Sequence, residues 1–336
     1  MRRFFLGTIT IITSIITGYT QDIHYSIWDM SPINLNPALT GQFDGDYRIN
    51  ANHRNQWSSV TVPFVTTSFS ADTRNLLQQK KWSGGIQLNQ DKTGDGSLST
   101  FQSNLSISRM LPFNNDSLQN ISIGGQLGFS NKTIDFNPLQ FDAQYNGFAF
   151  DGNLSNNENF ARSSIAFLNS NIGIAYFNQI EDRKKVSLGI GIFNLNTGRQ
   201  SFNNDVNIQL DLRTVLHGEA EWELNDKWDL LPSFIHSSQG KYREFMFGSG
   251  TRYIITDFIG MYRAVWGGLY YRNRDALFFN LGLNYDQWKV GLNYDLNTST
   301  LKPASNGRGG IEVAIEYIIK LSKPTKTFHK VCPDYL

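Results

Sequence analysis

The chain has 336 residues, of which 40% are apolar, 13% aromatic and only 18% charged, and 29 are glycine. This composition excludes a coiled coil, a helical bundle and a disordered chain, which have more charge or fewer aromatic residues. A formal charge of +1 predicts no nucleic-acid partner, and a single cysteine excludes a disulfide framework and a multi-cysteine metal site.

The first twenty residues have the features of a secretory signal peptide. Arg2 and Arg3 give a positive start, residues 4–18 are mostly apolar, and the small Thr20 precedes Gln21. We therefore predict that residues 1–20 are removed. The apolar stretch is shorter than the ~20 residues of a membrane helix, and no later run approaches that length. The exported chain is then either a soluble protein or an outer-membrane β-barrel.

Residues 21–45 form a polar segment before the first alternating stretch. The segment contains Pro32 and Pro37 and has room for a short turn over 31–39. If the strands that follow close into a barrel, we expect this segment to lie on the periplasmic side and to fold under or into the lumen. Packed on the charged wall of the lumen, it would plug the barrel and make it a scaffold rather than an open channel.

From residue 46 to residue 320, apolar and polar residues alternate as they do in β-strands. The clearest case is 210–224, where one face is mainly leucine and the other carries most of the charge. Turn signals divide the region into about fourteen strands with almost no helix. The predicted strands are 46–56, 63–73, 82–91, 99–109, 120–130, 170–179, 185–194, 206–224, 228–238, 243–254, 264–273, 276–285, 288–296 and 309–320.

An even strand number and unequal connections favour an all-β, transmembrane antiparallel β-barrel over a soluble sandwich or barrel. The long connections 131–169, 195–205 and 297–308 fall on one side and would be extracellular, although 110–119 and 255–263 on the other side are longer than this rule expects. Six tryptophans near strand ends are typical of interfacial aromatic belts. They are Trp57, Trp82, Trp222, Trp228, Trp266 and Trp288.

One predicted luminal face is strongly acidic and allows two interpretations. It carries Asp211, His217, Glu219, Glu221 and Glu223. These residues could ligate a metal or act in acid–base chemistry. Alternatively, they pair with luminal cations, as polar barrel interiors do. Those cations are Arg48, Arg54, Arg213, Arg252 and Lys289. Since no motif of a hydrolase, a phosphate loop or a zinc protease is present, we predict no enzyme, no cofactor and no metal site.

Residues 321–336 follow the last predicted strand as a basic tail that contains Cys332. We expect this tail to lie in the periplasm. It is either a docking segment, with its thiol available for a crosslink or acylation, or a flexible end.

Short motifs stand out against the alternating background. Their residues are Asn36, Pro37 and Gly41; Arg54, Asn55, Gln56 and Trp57; Arg272 and Asp275; Tyr294 and Asp295; Glu312; and Cys332 and Pro333. In this order and spacing they resemble the PorP/SprF family of type IX secretion system outer-membrane proteins. Two motifs depart from the family, because Ile311 replaces a common His and Asp334-Tyr335 replaces Arg-Phe.

The resemblance implies a non-catalytic barrel, 46–320, in the outer membrane of a Bacteroidetes bacterium. One branch of the family is a core component that contacts periplasmic secretion machinery. The other branch serves export or attachment of large surface adhesins, including those of gliding motility. We expect the second role, with outer-membrane lipid and a secreted adhesin as partners. The core role and a passive pore remain as alternatives.

Overall fold

In a computed structural model, the described residues are 22–321 except 59–61, 80, 95, 114–117, 159, 204, 259 and 301. They form fourteen antiparallel strands in one closed barrel, in which sequence neighbours pair and β1 pairs with β14. The prediction of an all-β antiparallel barrel of about fourteen strands is confirmed. The predicted signal peptide and residues 322–336, with Cys332 and Pro333, lie outside the described residues.

The strands are β1 Tyr47–Gln56, β2 Phe64–Thr73, β3 Trp82–Thr93, β4 Leu98–Pro112, β5 Gln119–Thr133, β6 Ser164–Glu181, β7 Lys184–Phe193, β8 Arg213–Asn225, β9 Trp228–Gln239, β10 Tyr242–Phe258, β11 Met261–Arg272, β12 Ala276–Tyr285, β13 Trp288–Asn297 and β14 Arg308–Ile319. Two short α-helices are present, α1 Pro32–Leu35 and α2 Lys302–Ser305. Among the described residues, no helix has both the length and the apolar character needed to cross a membrane.

The alternation of each strand separates a polar lumen from an apolar outer face. In β5, Ser122 and Gln126 are buried inside the barrel, whereas Leu127 is 70% exposed on the outside. Leu105 and Leu168 on the neighbouring strands are about as exposed and lie beside it. A continuous aliphatic surface of this kind is stable against lipid chains and unfavourable in water.

The connections at the two ends of the barrel differ in length. One end, which we call the loop end, carries 57–63, 94–97, 134–163, 194–212, 240–241, 273–275 and 298–307. The other, the turn end, carries 74–81, 113–118, 182–183, 226–227, 259–260 and 286–287. In outer-membrane barrels the long loops are extracellular and the short turns periplasmic. The two connections that seemed too long from the sequence are short, because β4, β5, β10 and β11 extend further than predicted.

Three local predictions were wrong. The first concerns β8, which was predicted to start at residue 206 but begins at Arg213. The alternating residues before it pair within their own loop, through an Arg199–Gln209 bridge. The second concerns β6, which begins at Ser164 instead of residue 170, because it continues pairing with β5 as far as Thr133. The third concerns Trp266, which was expected at a membrane interface. It lies inside the barrel against Ile27.

Candidate functional site

The lumen is occupied by residues 22–42, which we call the luminal segment. Its first described residue lies at the loop end, where the Asp22 amide donates a 2.9 Å hydrogen bond to Gln239. Asn194, just past the loop end of β7, donates a 2.7 Å bond to the Asp22 carboxylate. The segment therefore lies inside the lumen, one of the two placements expected from the sequence, and it reaches the loop end, which was not expected for a segment on the periplasmic side.

From Asp22 the segment descends, returns and descends again. Asp29 forms a 2.6 Å ion pair with Lys289 at the turn end of β13. The chain then rises to Asn34, whose carbonyl accepts a 3.0 Å bond from Arg213 at the loop end of β8. The last descent reaches Gly41, and β1 starts from the turn end. Three passes of chain thus lie inside the barrel.

Four motif residues that are distant in sequence converge on the first pass and form what we call the luminal clamp: Arg54, Arg272, Asp295 and Glu312. The Glu312 carboxylate accepts the amides of Ser26 and Ile27, at 2.7 and 3.0 Å, across 286 and 285 positions of sequence. Strand register brings them together, because Arg54 and Glu312 are direct partners across the β1–β14 seam.

The remaining clamp bonds surround Ser26. Arg272 donates to the Ser26 hydroxyl at 2.7 Å, and the hydroxyl donates to Asp295 at 3.1 Å. Asp295 also accepts from Arg54 at 3.0 Å and from Arg272 at 3.1 Å. Arg54 reaches the segment directly through a 2.7 Å bond to the His24 carbonyl. All four clamp side chains are almost fully buried, so removing one partner would leave an uncompensated charge in the lumen.

Arg272 has further acidic neighbours that fix its position. Its guanidinium lies 3.0 Å from Glu244 on β10 and 2.9 Å from Asp275 in the loop after β11. The predicted partner Asp275 therefore adjoins the luminal clamp through Arg272. Glu244 was not singled out from the sequence, since an isolated acid on an inward face has no local signature.

The Asn36-Pro37 motif lies in a recess made by glycines of β5, β6 and β7. The Asn36 side chain accepts the Ala38 amide at 2.9 Å and donates to the Ile174 carbonyl at 3.1 Å, which fixes the turn over Pro37–Leu39. A Cβ atom at Gly173 would lie 1.8 Å from the Asn36 side-chain oxygen, and one at Gly124 would lie 2.4 Å from the Pro37 carbonyl. The recess therefore requires glycine.

The segment leaves the lumen at Gly41, whose φ of +72° favours glycine. Its amide donates a 2.7 Å bond to Asp72. Arg48 binds the same carboxylate at 2.8 Å and the Leu39 carbonyl at 3.1 Å. Arg48 and Asp72 were not part of any motif, although they are direct cross-strand neighbours.

Apolar packing supports the polar contacts. Trp28 and Leu35 of the segment join a buried cluster with Val215, Met246 and Phe278 of the wall. Ile27 and Met30, both fully buried, pack in a second cluster with Ala314 and Trp266. Burial of each such side chain contributes about 1.5–3 kcal/mol relative to exposure, so the segment has a substantial apolar contribution to docking.

His24 is a titratable side chain of the luminal segment that lies among several arginines of the wall. Burial, together with the positive charges of Arg54, Arg272 and Arg213, lowers the pKa of His24 well below its usual value. The docked segment therefore favours the neutral imidazole at neutral pH.

Two acids of the β8 face form ion pairs with arginines of the barrel. Glu221 pairs with Arg252, and Glu223 with Arg183 at 3.3 Å. Among the described residues, no group of His, Cys, Asp and Glu is arranged to hold a metal ion. His217 lies 3.1 Å from the Asn36 amide nitrogen instead. Asp211 precedes the strand.

Of the five cations expected to neutralise the acidic face, Arg252 forms a direct ion pair with it, and within the described part of the chain no such pair is seen for the other four. The other four contact the luminal segment through hydrogen bonds or ion pairs: Arg48, Arg54, Arg213 and Lys289. The basic side chains of the lumen thus mainly hold the chain's own amino-terminal part.

The other motif residues lie near the clamp but do not join it. Asn55 and Tyr294 face outward, and the Tyr294 ring is 5.8 Å from that of Phe279. Gln56 ends β1, and Trp57, with φ of +55°, packs on Phe64 at 4.9 Å. These residues stabilise the loop end of the wall.

Comparison with known families decides the identity. The sequence profile of the type IX secretion system membrane protein PorP/SprF matches residues 17–317. The chain belongs to the PorP/SprF family. It is therefore an outer-membrane β-barrel of type IX secretion, as the motifs indicated. The luminal clamp is thus a feature of a barrel from the PorP/SprF family of secretion-system membrane proteins. A comparison with curated proteins finds no match.

Several solved barrels have a similar overall fold to this PorP/SprF chain. The toluene transporter TbuX of Ralstonia pickettii is 10% identical, with a TM-score of 0.49 over 87% of this chain and 93% of that one. The toluene transporter TodX of Pseudomonas putida is 11% identical, with a TM-score of 0.49 over 85% and 92%. A Pseudomonas aeruginosa FadL homologue is 10% identical, with a TM-score of 0.47 over 84% and 92%.

Proposed function

We propose that this PorP/SprF barrel serves the export or surface attachment of one secreted adhesin, in the manner of the gliding-motility branch. Residues 1–20 direct export and are removed, and the barrel acts in the outer membrane as a non-catalytic scaffold. The observation that carries the scaffold role is the luminal segment, because a lumen crossed three times by the chain's own residues is not an open channel.

The loop end offers the surface on which a large extracellular partner would dock. The rings of Phe136 and Phe160, both in the loop 134–163, stack at 3.7 Å, and Phe202 of the loop 194–212 packs against Phe136. Tyr145 and Phe148 of the same long loop are exposed, Phe148 to 95%. Ordered, exposed aromatic residues are typical of protein interfaces.

The test is deletion of the gene followed by measurement of each type IX substrate on intact cells. We expect one adhesin to be lost from the surface, while the others remain, and a plasmid copy of the gene to restore it. Loss of every substrate would instead assign the protein to the core machinery. Unchanged display of all substrates would contradict the proposal.

A passive pore is the competing role, and bilayer conductance separates it from a scaffold. The purified barrel should show no steady conductance at neutral pH. The variant Asp295→Asn, which removes the anion between two buried arginines, should produce open events. A wild-type barrel that conducts continuously would favour the pore.

A further inference from the structure

The two ends of the luminal segment lie at opposite ends of the barrel. At the loop end, Asp22 contacts Gln239, the last residue of β9, and Asn194, just past the end of β7. At the turn end, Gly41 contacts Asp72, and the chain enters β1 at Tyr47. Between these two ends the segment stays inside the lumen, which the ring of fourteen strands surrounds completely.

We propose that the amino end of the exported chain is displayed on the extracellular surface, and that residues 22–46 form a strap running from there to the periplasmic rim. A barrel that starts its first strand from the periplasm would ordinarily leave its amino end in the periplasm. Here the segment doubles back through the lumen, so whatever precedes Asp22 continues from the extracellular mouth.

The contacts of Asp22 at the extracellular mouth are polar, as expected for a chain end that a partner outside the cell can reach. Asp22 is held by amide side chains and by Arg213 at 3.9 Å rather than by apolar packing. Two cavities also border Asp22 and Ile23. Further down, the Asn36-Pro37 turn is packed directly on wall glycines. The upper end is therefore held by polar side chains at the mouth, whereas the lower part is packed against the wall.

The arrangement also constrains assembly. The β1–β14 seam pairs ten residues from Tyr47↔Ile319 to Gln56↔Gly310. Once this seam is closed in lipid, a polar segment reaches the lumen only through one of the two mouths. The segment therefore enters either during closure or through a mouth, and an apolar stretch still attached before Asp22 would be carried along with it.

Epitope accessibility on intact cells tests the display. A short epitope is inserted directly before Asp22, with matched epitopes at 147–148 in a long loop and at 226–227 in a short turn. An antibody that does not cross the outer membrane should label the amino-terminal and loop epitopes on intact cells. It should label the turn epitope only after permeabilisation. Labelling of the amino-terminal epitope only after permeabilisation would overturn the proposal, as would a reversed pattern for the loop and the turn.

A smaller probe covers the case in which the insertion prevents folding. In a Cys332→Ser background, Asp22→Cys should react with a membrane-impermeant maleimide on intact cells, and Asp226→Cys should not. Heat-modifiable mobility on gels confirms that each variant is a folded barrel. An unreactive Asp22→Cys in a folded barrel would overturn the display. Because neither assay involves an adhesin, the outcome is independent of the secretion role.

Discussion

The bond between Glu312 and the backbone of the luminal segment supports a quantitative prediction. Glu312 is fully buried, and its two oxygens accept the amides of Ser26 and Ile27. In Glu312→Gln the side chain keeps its shape but has only one oxygen, so one of the two amides faces an NH2 group. A hydrogen bond to a charged group is worth about 1.5–3 kcal/mol, and a buried donor left unsatisfied adds to the loss. We expect docking to weaken by about 3 kcal/mol, which is roughly a hundredfold in the detached population.

Hydrogen exchange with peptide-level mass spectrometry measures this change. Peptides that cover residues 22–30 should exchange roughly a hundredfold faster in Glu312→Gln, while barrel strands stay protected. The matched control is Glu316→Gln, on the same luminal face of β14, where the carboxylate accepts a 3.0 Å bond from Asn50 of the wall. Equal exchange of residues 22–30 in the two variants would refute the assignment of Glu312 as the main anchor of the first pass.

Two further perturbations test other parts of the segment. Gly173→Ala forces a methyl group against Asn36 and should destabilise the barrel by about 1–3 kcal/mol, whereas Gly125→Ala, which meets nothing within 4 Å, should be neutral in gel-shift unfolding. The segment should also detach more readily in acid. The detached His24 binds a proton near its ordinary pKa of about 6.5, whereas docking lowers that pKa. Docking should thus be constant above about pH 7 and weaken by up to tenfold per pH unit below about 6.5. Limited proteolysis of residues 22–46 at a series of pH values would measure this detachment. His24→Gln should flatten the pH profile of proteolysis. A wild-type profile that does not change with pH would refute the prediction.

The fold could be predicted from the sequence because lipid imposes a simple rule on every strand. Each outward position within the membrane must be apolar, so Leu216, Trp222 and Leu224 mark the outer face without knowledge of their neighbours. The rule fails where lipid ends. Residues 206–212 alternate in the same way, but they pair within a loop, because water and protein impose no comparable constraint there.

The clamp could not be predicted from local spacing, because Ser26 and Glu312 meet across most of the chain. A signal was nevertheless present. In an up-and-down barrel the first and last strands must pair, and the predicted hairpins fix the register of the others. Arg54 is then placed opposite Glu312, with Asp295 and Arg272 on the next inward faces. Charges of both signs at one level of a lumen indicate a buried network of ion pairs. They do not show that the backbone of another segment donates hydrogen bonds to that network.

The partners of the charged lumen bear on the choice between a scaffold and a selective pore. An open channel that selects by charge needs side chains whose charge faces the permeating solute. Here Arg213 donates to the carbonyls of Ile23 and Asn34, at 3.0 Å each, and Lys289 is paired with Asp29. These cations are therefore bound to the luminal segment, and their charge does not face a permeating solute. Releasing the segment would expose several unpaired charges at once. For this reason the docked state of the segment is favoured at neutral pH. Opening of the lumen requires either a partner that replaces those contacts or a change in the protonation of the groups that form them.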